Sequence, residues 1–135
     1  MASLADVPGF LAYAEASGLS FPCEPTIETG PAAPFAQPIE VCGRMMANRF
    51  CILPMEGWDG LADGRPSDHT RHRWANFGRS GAKLIWGGEA VAVRHDGRAN
   101  PRQLVMNDAT MGEIATLRDT LLAAHSDPLW IGLQP

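Results

Sequence analysis

Beyond residue 48 the chain alternates between apolar runs and amphipathic helical stretches, and that alternation restricts it to one class of fold. Arg49 to Met55 (RFCILPM) reads as a strand, with Pro54 near its end, where a missing backbone donor is tolerated. Ser67 is a predicted N-cap for a helix from Asp68 to about Arg79, with Thr70, Trp74 and Phe77 on one face and Gly81 as terminator. Ala82 to Val93 (AKLIWGGEAVAV) is a second strand, too apolar for a half-solvated sheet and so expected to be covered on both faces. Thr110 to His125 carries a stripe of Met111, Ile114, Leu117, Leu121 and Leu122 at helical spacing, and Asp127-Pro128 ends it. Leu129 to Leu133 (LWIGL) is the third strand. Strand, helix, strand, helix, strand in that order predicts an α/β fold with right-handed crossovers and a parallel sheet.

Residues 1–38 read differently. Val7 to Ser17 predicts a short helix, with Phe10, Leu11 and Ala14 at helical spacing and Gly18 as its stop. Pro22, Pro25, Pro31, Pro34 and Pro38 then forbid regular structure. Phe21, Ile27 and Phe35 are more apolar than a linker requires, so the segment is expected to be an irregular arm packed against a larger body. Ile39-Glu40-Val41 with Gly43 behind it predicts a short strand and turn, the start of a hairpin. The expected organisation is a helix and Pro-rich arm over 1–38 and an α/β domain over 39–135. Charge breaks at nearly the same place, because residues 1–43 hold five acids and no Lys or Arg, while the remainder holds eleven bases and ten acids.

Three parallel strands leave two bare edges, which parallel sheets seldom do. The pattern looks like the N-terminal part of a (β/α)8 TIM barrel, a fold that needs roughly 250 residues to close. Composition narrows the function classes. With 45% hydrophobic residues in 135 the chain can bury a core, and a net charge of −4 gives no surplus of cations for nucleic acid or an anionic membrane. No apolar run approaches the roughly 20 residues of a bilayer span, and the first 16 residues lack the basic start of a signal peptide. The expectation is a cytoplasmic chain without membrane or nucleic-acid partners. Cys23, Cys42 and Cys51 lack C-x-x-C spacing and read as small buried or half-buried residues.

In a barrel, chemistry sits where strands end. Those ends are Pro54-Met55-Glu56, Gly87-Gly88-Glu89-Ala90 and Gln134. Two glycines at a strand end allow backbone to approach a flat ligand, and the Gln134 amide can both donate to and accept from a heterocycle edge. Ordinary strand-end packing fits the same residues.

Asn48-Arg49-Phe50-Cys51-Ile52-Leu53-Pro54-Met55 resembles the first-strand signature of the Old Yellow Enzyme family, the FMN-dependent NADH:flavin oxidoreductases. Gly81-Ala82-Lys83-Leu84-Ile85 and Glu89-Ala90-Val91-Ala92-Val93 resemble its second strand, Asp96-Gly97-Arg98 the Gly-Arg that follows, and Ile131-Gly132-Leu133-Gln134 its third strand. The resemblance runs from about residue 38 to the C-terminus. It implies FMN over the strand ends and NADH or NADPH as hydride donor, with an electron-poor alkene or related small molecule as acceptor. Carried over by position, Pro54 and Met55 would line the flavin ring, Ala90 would offer backbone groups near its pyrimidine edge, and Gln134 would bond that edge. Trp58 falls where the family places a bulky residue at the substrate pocket. Glu56 is a departure, since relatives often have Thr or Cys after Pro-Met; a carboxylate there would alter the flavin potential or turn to the substrate. Gly87-Gly88 looks like an insertion. The family's substrate-holding His pair and its phosphate site lie beyond the third strand, so no catalytic residue is expected in this chain, which reads as a fragment inactive alone.

Other signals are weaker. His69 and His72 share a helix face without further ligands and read as surface residues; His125 suits a helix C-terminus. Asp59 and Asp63-Gly64 lack the remaining positions of a calcium loop. Arg71, Arg73 and Arg79 read as a solvated face, and Trp74, Trp86 and Trp130 as core. The competing reading of the whole is a non-enzymatic half-barrel that forms a homo-oligomer through its exposed strand edges.

Overall fold

The structure, a computed structural model, describes residues 4–135. Two compact units result, one ending at Pro34 and one running from Phe35 to Pro135. In the first, Asp6 caps helix α1 (Val7–Ala16) by accepting the Gly9 amide at 2.8 Å. Its prolines then hold the chain irregular apart from one 3-10 turn at Gly30–Ala32. The apolar residues of this stretch behave individually. Phe21 packs on Phe10 with ring centroids 5.9 Å apart, whereas Ile27 is 91% exposed.

In the second unit, β1 (Ile39–Val41) and β2 (Arg44–Met46) pair antiparallel as a hairpin turned at Cys42 and Gly43. Phe35 stacks on Phe50, centroids 5.5 Å apart. Strand β3 is only Cys51–Ile52, shorter than the apolar run around it. Pro54 cannot extend a ladder, and the neighbouring strand bulges beside it, so pairing stops after two residues. Helix α2 (Asp68–Arg79) begins at a complete capping box formed by Ser67 and Thr70. It is followed by β4 (Leu84–Ala90), α3 (Met111–Ala123) and β5 (Trp130–Gln134). The sheet order is β3-β4-β5, all parallel, as the alternation predicts.

Only one face of this sheet is covered. Ile52, Ile85, Ile131 and Leu133 meet Trp74 of α2 and Leu117 and Leu121 of α3 in the core. Fully burying one such leucine contributes about 2 kcal/mol. On the opposite face Leu53 is 70% and Trp86 51% exposed, which corrects both the expectation of a sheet covered on two sides and the placement of Trp86 in the core. The α3 stripe is likewise narrower than expected. Ile114, Leu117 and Leu121 are buried, while Met111 and Leu122 lie at the margins and are exposed. The three cysteines are free and exposed, not buried, because they sit in the arm, in the hairpin turn and at the start of β3.

The end of the sheet where β4 begins is closed by a polar clasp. His125 Nδ1 lies 2.8 Å from the Gly78 carbonyl and Nε2 lies 2.9 Å from Lys83 Nζ. A carbonyl only accepts, so Nδ1 carries the proton and Nε2 accepts from the Lys83 ammonium. Lys83, 7% exposed, also donates to Asp127 at 2.7 Å. His125 is thus a structural tie between helices and sheet. Among the described residues no helix is long and apolar enough to cross a membrane.

Candidate functional site at the strand ends

Side chains on a strand alternate, and neighbours across a parallel ladder share a face. Leu84, Ile85 and Trp86 of β4 pair in register with Trp130, Ile131 and Gly132 of β5. The next pair is Ala90 with Gln134, so four residues of β4 span two of β5. The irregularity is centred on Gly87, whose φ of 66° suits glycine. A Cβ on Gly87 would stand 2.8 Å from Pro54 Cβ and 3.2 Å from the Gln134 amide nitrogen. The glycine therefore lets three strand ends draw together. The two extra residues coincide with the glycine pair that stands out in the sequence.

Beyond the bulge, the ends are tied in a row. The Ala90 amide reaches the Met55 carbonyl at 3.4 Å, and the Val91 amide donates to the Gln134 carbonyl at 2.9 Å. Glu56, Ala90 and Gln134 line one cleft of about 360 Å³, shared with Val91, Arg94 and Gln103. The Met55 side chain is 73% exposed, and Pro54 packs against the bulge. Trp58 is not part of the cleft lining; half exposed, it donates its indole N–H to Glu56 Oε2 at 2.9 Å. The structure thus brings together Glu56, Ala90 and Gln134, with Pro54 and Met55 beside them and Trp58 linked through Glu56.

The cleft's polar groups divide into spoken-for and open. Gln103, 5% exposed, donates to the Ala90 carbonyl at 3.2 Å and accepts the Ala99 amide at 2.7 Å. Arg94 is held on the rim by two bonds to Asp96, of 2.8 and 2.7 Å. The Gln134 carboxamide has no hydrogen-bond partner among the described residues, and it offers a donor and an acceptor side by side at the cleft. These residues fit the edge of a flat heterocycle. Arg98 of Asp96-Gly97-Arg98 serves the loops, donating to the carbonyls of Ala62 and Pro101 at 3.0 and 2.5 Å.

Beside the cleft lies a charge cluster, built on the buried Glu89 and the half-buried Arg73 and Asp59, that sequence reasoning missed. Glu89, 1% exposed, accepts the Gly57 amide at 2.8 Å and Arg73 Nη2 at 2.5 Å. Arg73 also donates to Asp59 at 2.9 and 2.8 Å, and Thr70 donates to Asp59 at 2.8 Å. Arg73 is therefore not on a solvated face. Burial pushes the Glu89 carboxyl above its ordinary value, against the pull of the Gly57 amide and Arg73. Burial also pushes Asp59 up, but hydrogen bonds from Arg73 and Thr70 together with the Arg73 charge hold it below the usual range. One signal was available in the sequence: a carboxylate inside an apolar strand must find a partner. Among the described residues no group of three or more His, Cys, Asp or Glu is placed to hold a metal ion.

No protein-family model matches the chain, and no curated protein matches it. Among solved structures it is similar to the old yellow enzyme from Trypanosoma cruzi, with a TM-score of 0.55 at 20% identity over 67% of this chain and 24% of that one. The chain spans about a quarter of that enzyme's length. The likeness is one of fold: a mixed α/β arrangement with a parallel sheet, consistent with part of an α/β barrel.

Proposed function

We propose that this chain is the opening βα portion of an FMN-dependent oxidoreductase of the NADH:flavin oxidoreductase type, and that its strand ends form one wall of the flavin site. The observation that carries this reading is the two-residue bulge at Gly87. It sets Ala90 against Gln134 and leaves the Gln134 carboxamide free at a cleft also lined by Glu56. The fold likeness to an old yellow enzyme supports it. FMN, when bound, supplies hydride transfer from NADH or NADPH to an electron-poor alkene. The chain's own residues would bind and orient it: Gln134 would pair with the ring edge and Pro54 and Met55 would help hold the ring, while Trp58 keeps Glu56 at the cleft through its indole N–H. The catalytic groups of such an enzyme belong to parts of the barrel outside these three strands, so this chain alone is inactive.

The test is a titration of the purified chain with FMN, read by quenching of flavin fluorescence, with no NADPH oxidation expected. Gln134→Leu keeps the volume and removes the amide, and should weaken FMN binding about tenfold. A wild-type chain that leaves flavin fluorescence unchanged up to the solubility limit of FMN rejects the reading. A second reading, a self-associating half-barrel, is favoured by the exposed Leu53, Met55 and Trp86 and by strands β3 and β5 at the two sheet edges.

A further inference from the structure

The charge cluster beside the cleft has a shape that stability alone does not account for. A buried ion pair is a weak source of net stability, because desolvation consumes most of the attraction. Beside the Arg73–Glu89 pair itself, its bonds converge on one short stretch of chain. Glu89 of β4 holds the Gly57 amide, and Arg73 of α2 holds the Asp59 carboxylate. Thr70 holds the same carboxylate, and the Ser67 hydroxyl donates to the Asp59 carbonyl. Residue 58 lies between these anchors, and Trp58 has a φ of 51°, a left-handed conformation a bulky side chain rarely adopts. Such strain persists where surrounding contacts over-determine it. The grip is close as well. A Cβ on Gly57 would lie 2.6 Å from Arg73 Cζ and 3.0 Å from Asp59 Oδ1.

We propose that Glu89 of β4 and Arg73 of α2, the latter through Asp59, are positioning residues that clamp residues 57–59 and so fix where Glu56 stands on the wall of the cleft. None of the three lines the cleft itself. They act through the backbone at Gly57 and Asp59, and through the Trp58 indole that reaches Glu56. The identity of the ligand served by this wall rests on the flavin reading; the clamp does not.

Amide hydrogen exchange on the full chain, with FMN titration beside it, tests the inference. Glu89→Gln keeps the shape and removes the charge, and Arg73→Lys keeps the charge and removes the fork. Each should speed exchange of the Gly57 amide about tenfold or more while the amides of Leu117 and Leu121 keep their protection. FMN binding should weaken by a similar factor. If exchange rises equally across the core, the cluster is merely structural and the proposal falls. It falls too if Gly57 exchange is unchanged. If the Gly57 segment loosens but FMN binds both variants as tightly as wild type, the wall is clamped without bearing on the ligand, and that part is overturned. If the wild-type chain takes no FMN, the flavin reading fails, and the exchange arm still decides the clamp.

Discussion

Asp59 and Glu89 share one guanidinium and burial raises both, yet the Arg73 and Thr70 bonds outweigh burial at Asp59 alone, and the pH dependence of stability can separate them. Asp59 is held below its ordinary value of 3.8, so its contribution is present above that value and is lost as pH falls through the lowered one. Glu89 is pushed above its ordinary 4.5, so its contribution is full below that value and is lost as pH rises through the raised one. Denaturant unfolding between about pH 3 and pH 7 should therefore show the wild-type advantage over Asp59→Asn widening with pH, and that over Glu89→Gln narrowing. Parallel curves for the two variants would mean that the carboxylates titrate as a unit and that this division of roles is wrong. Neither role could be seen in the sequence. Arg73 and Glu89 are sixteen residues apart on different elements, and only the packing of α2 on β4 makes them partners.

At the scale of elements, what local chemistry decides is what the sequence reveals. Helix α2 is readable from end to end, because Ser67 and Thr70 cap it within one turn and Trp74 marks its buried face. Strand β3 is not, since its end at Ile52 is determined by the bulge of β4 at Gly87, thirty-five residues later. The site was readable as a set of strand-end residues, but the pairing of Ala90 with Gln134 is a fact of register, and register is a tertiary property here. Gly87 is the hinge of that register. Gly87→Ala adds a methyl close to Pro54 at a positive φ, and should cost about 2 kcal/mol or more in urea unfolding while pulling the strand ends apart. An alanine variant as stable as wild type would show that β4 can bulge elsewhere.

For the whole molecule, the uncovered sheet face matters most. Leu53, Met55 and Trp86 stand exposed, and large apolar side chains left in solvent at an open sheet mark contacts with other protein. The chain is expected to self-associate in sedimentation velocity, and Leu53→Lys with Trp86→Ser should return it to a monomer. A monomeric wild-type chain would count against association through this face. The bulge described above carries one more consequence. Its surplus is an even number of residues, and a strand's sidedness is a matter of odd and even. Ile85 and Glu89 consequently both face the helices, one on each side of the interruption. A strand of this design can change length by a dipeptide without exchanging its inside for its outside, whereas a change of one would turn Glu89, and the clamp with it, out of the core.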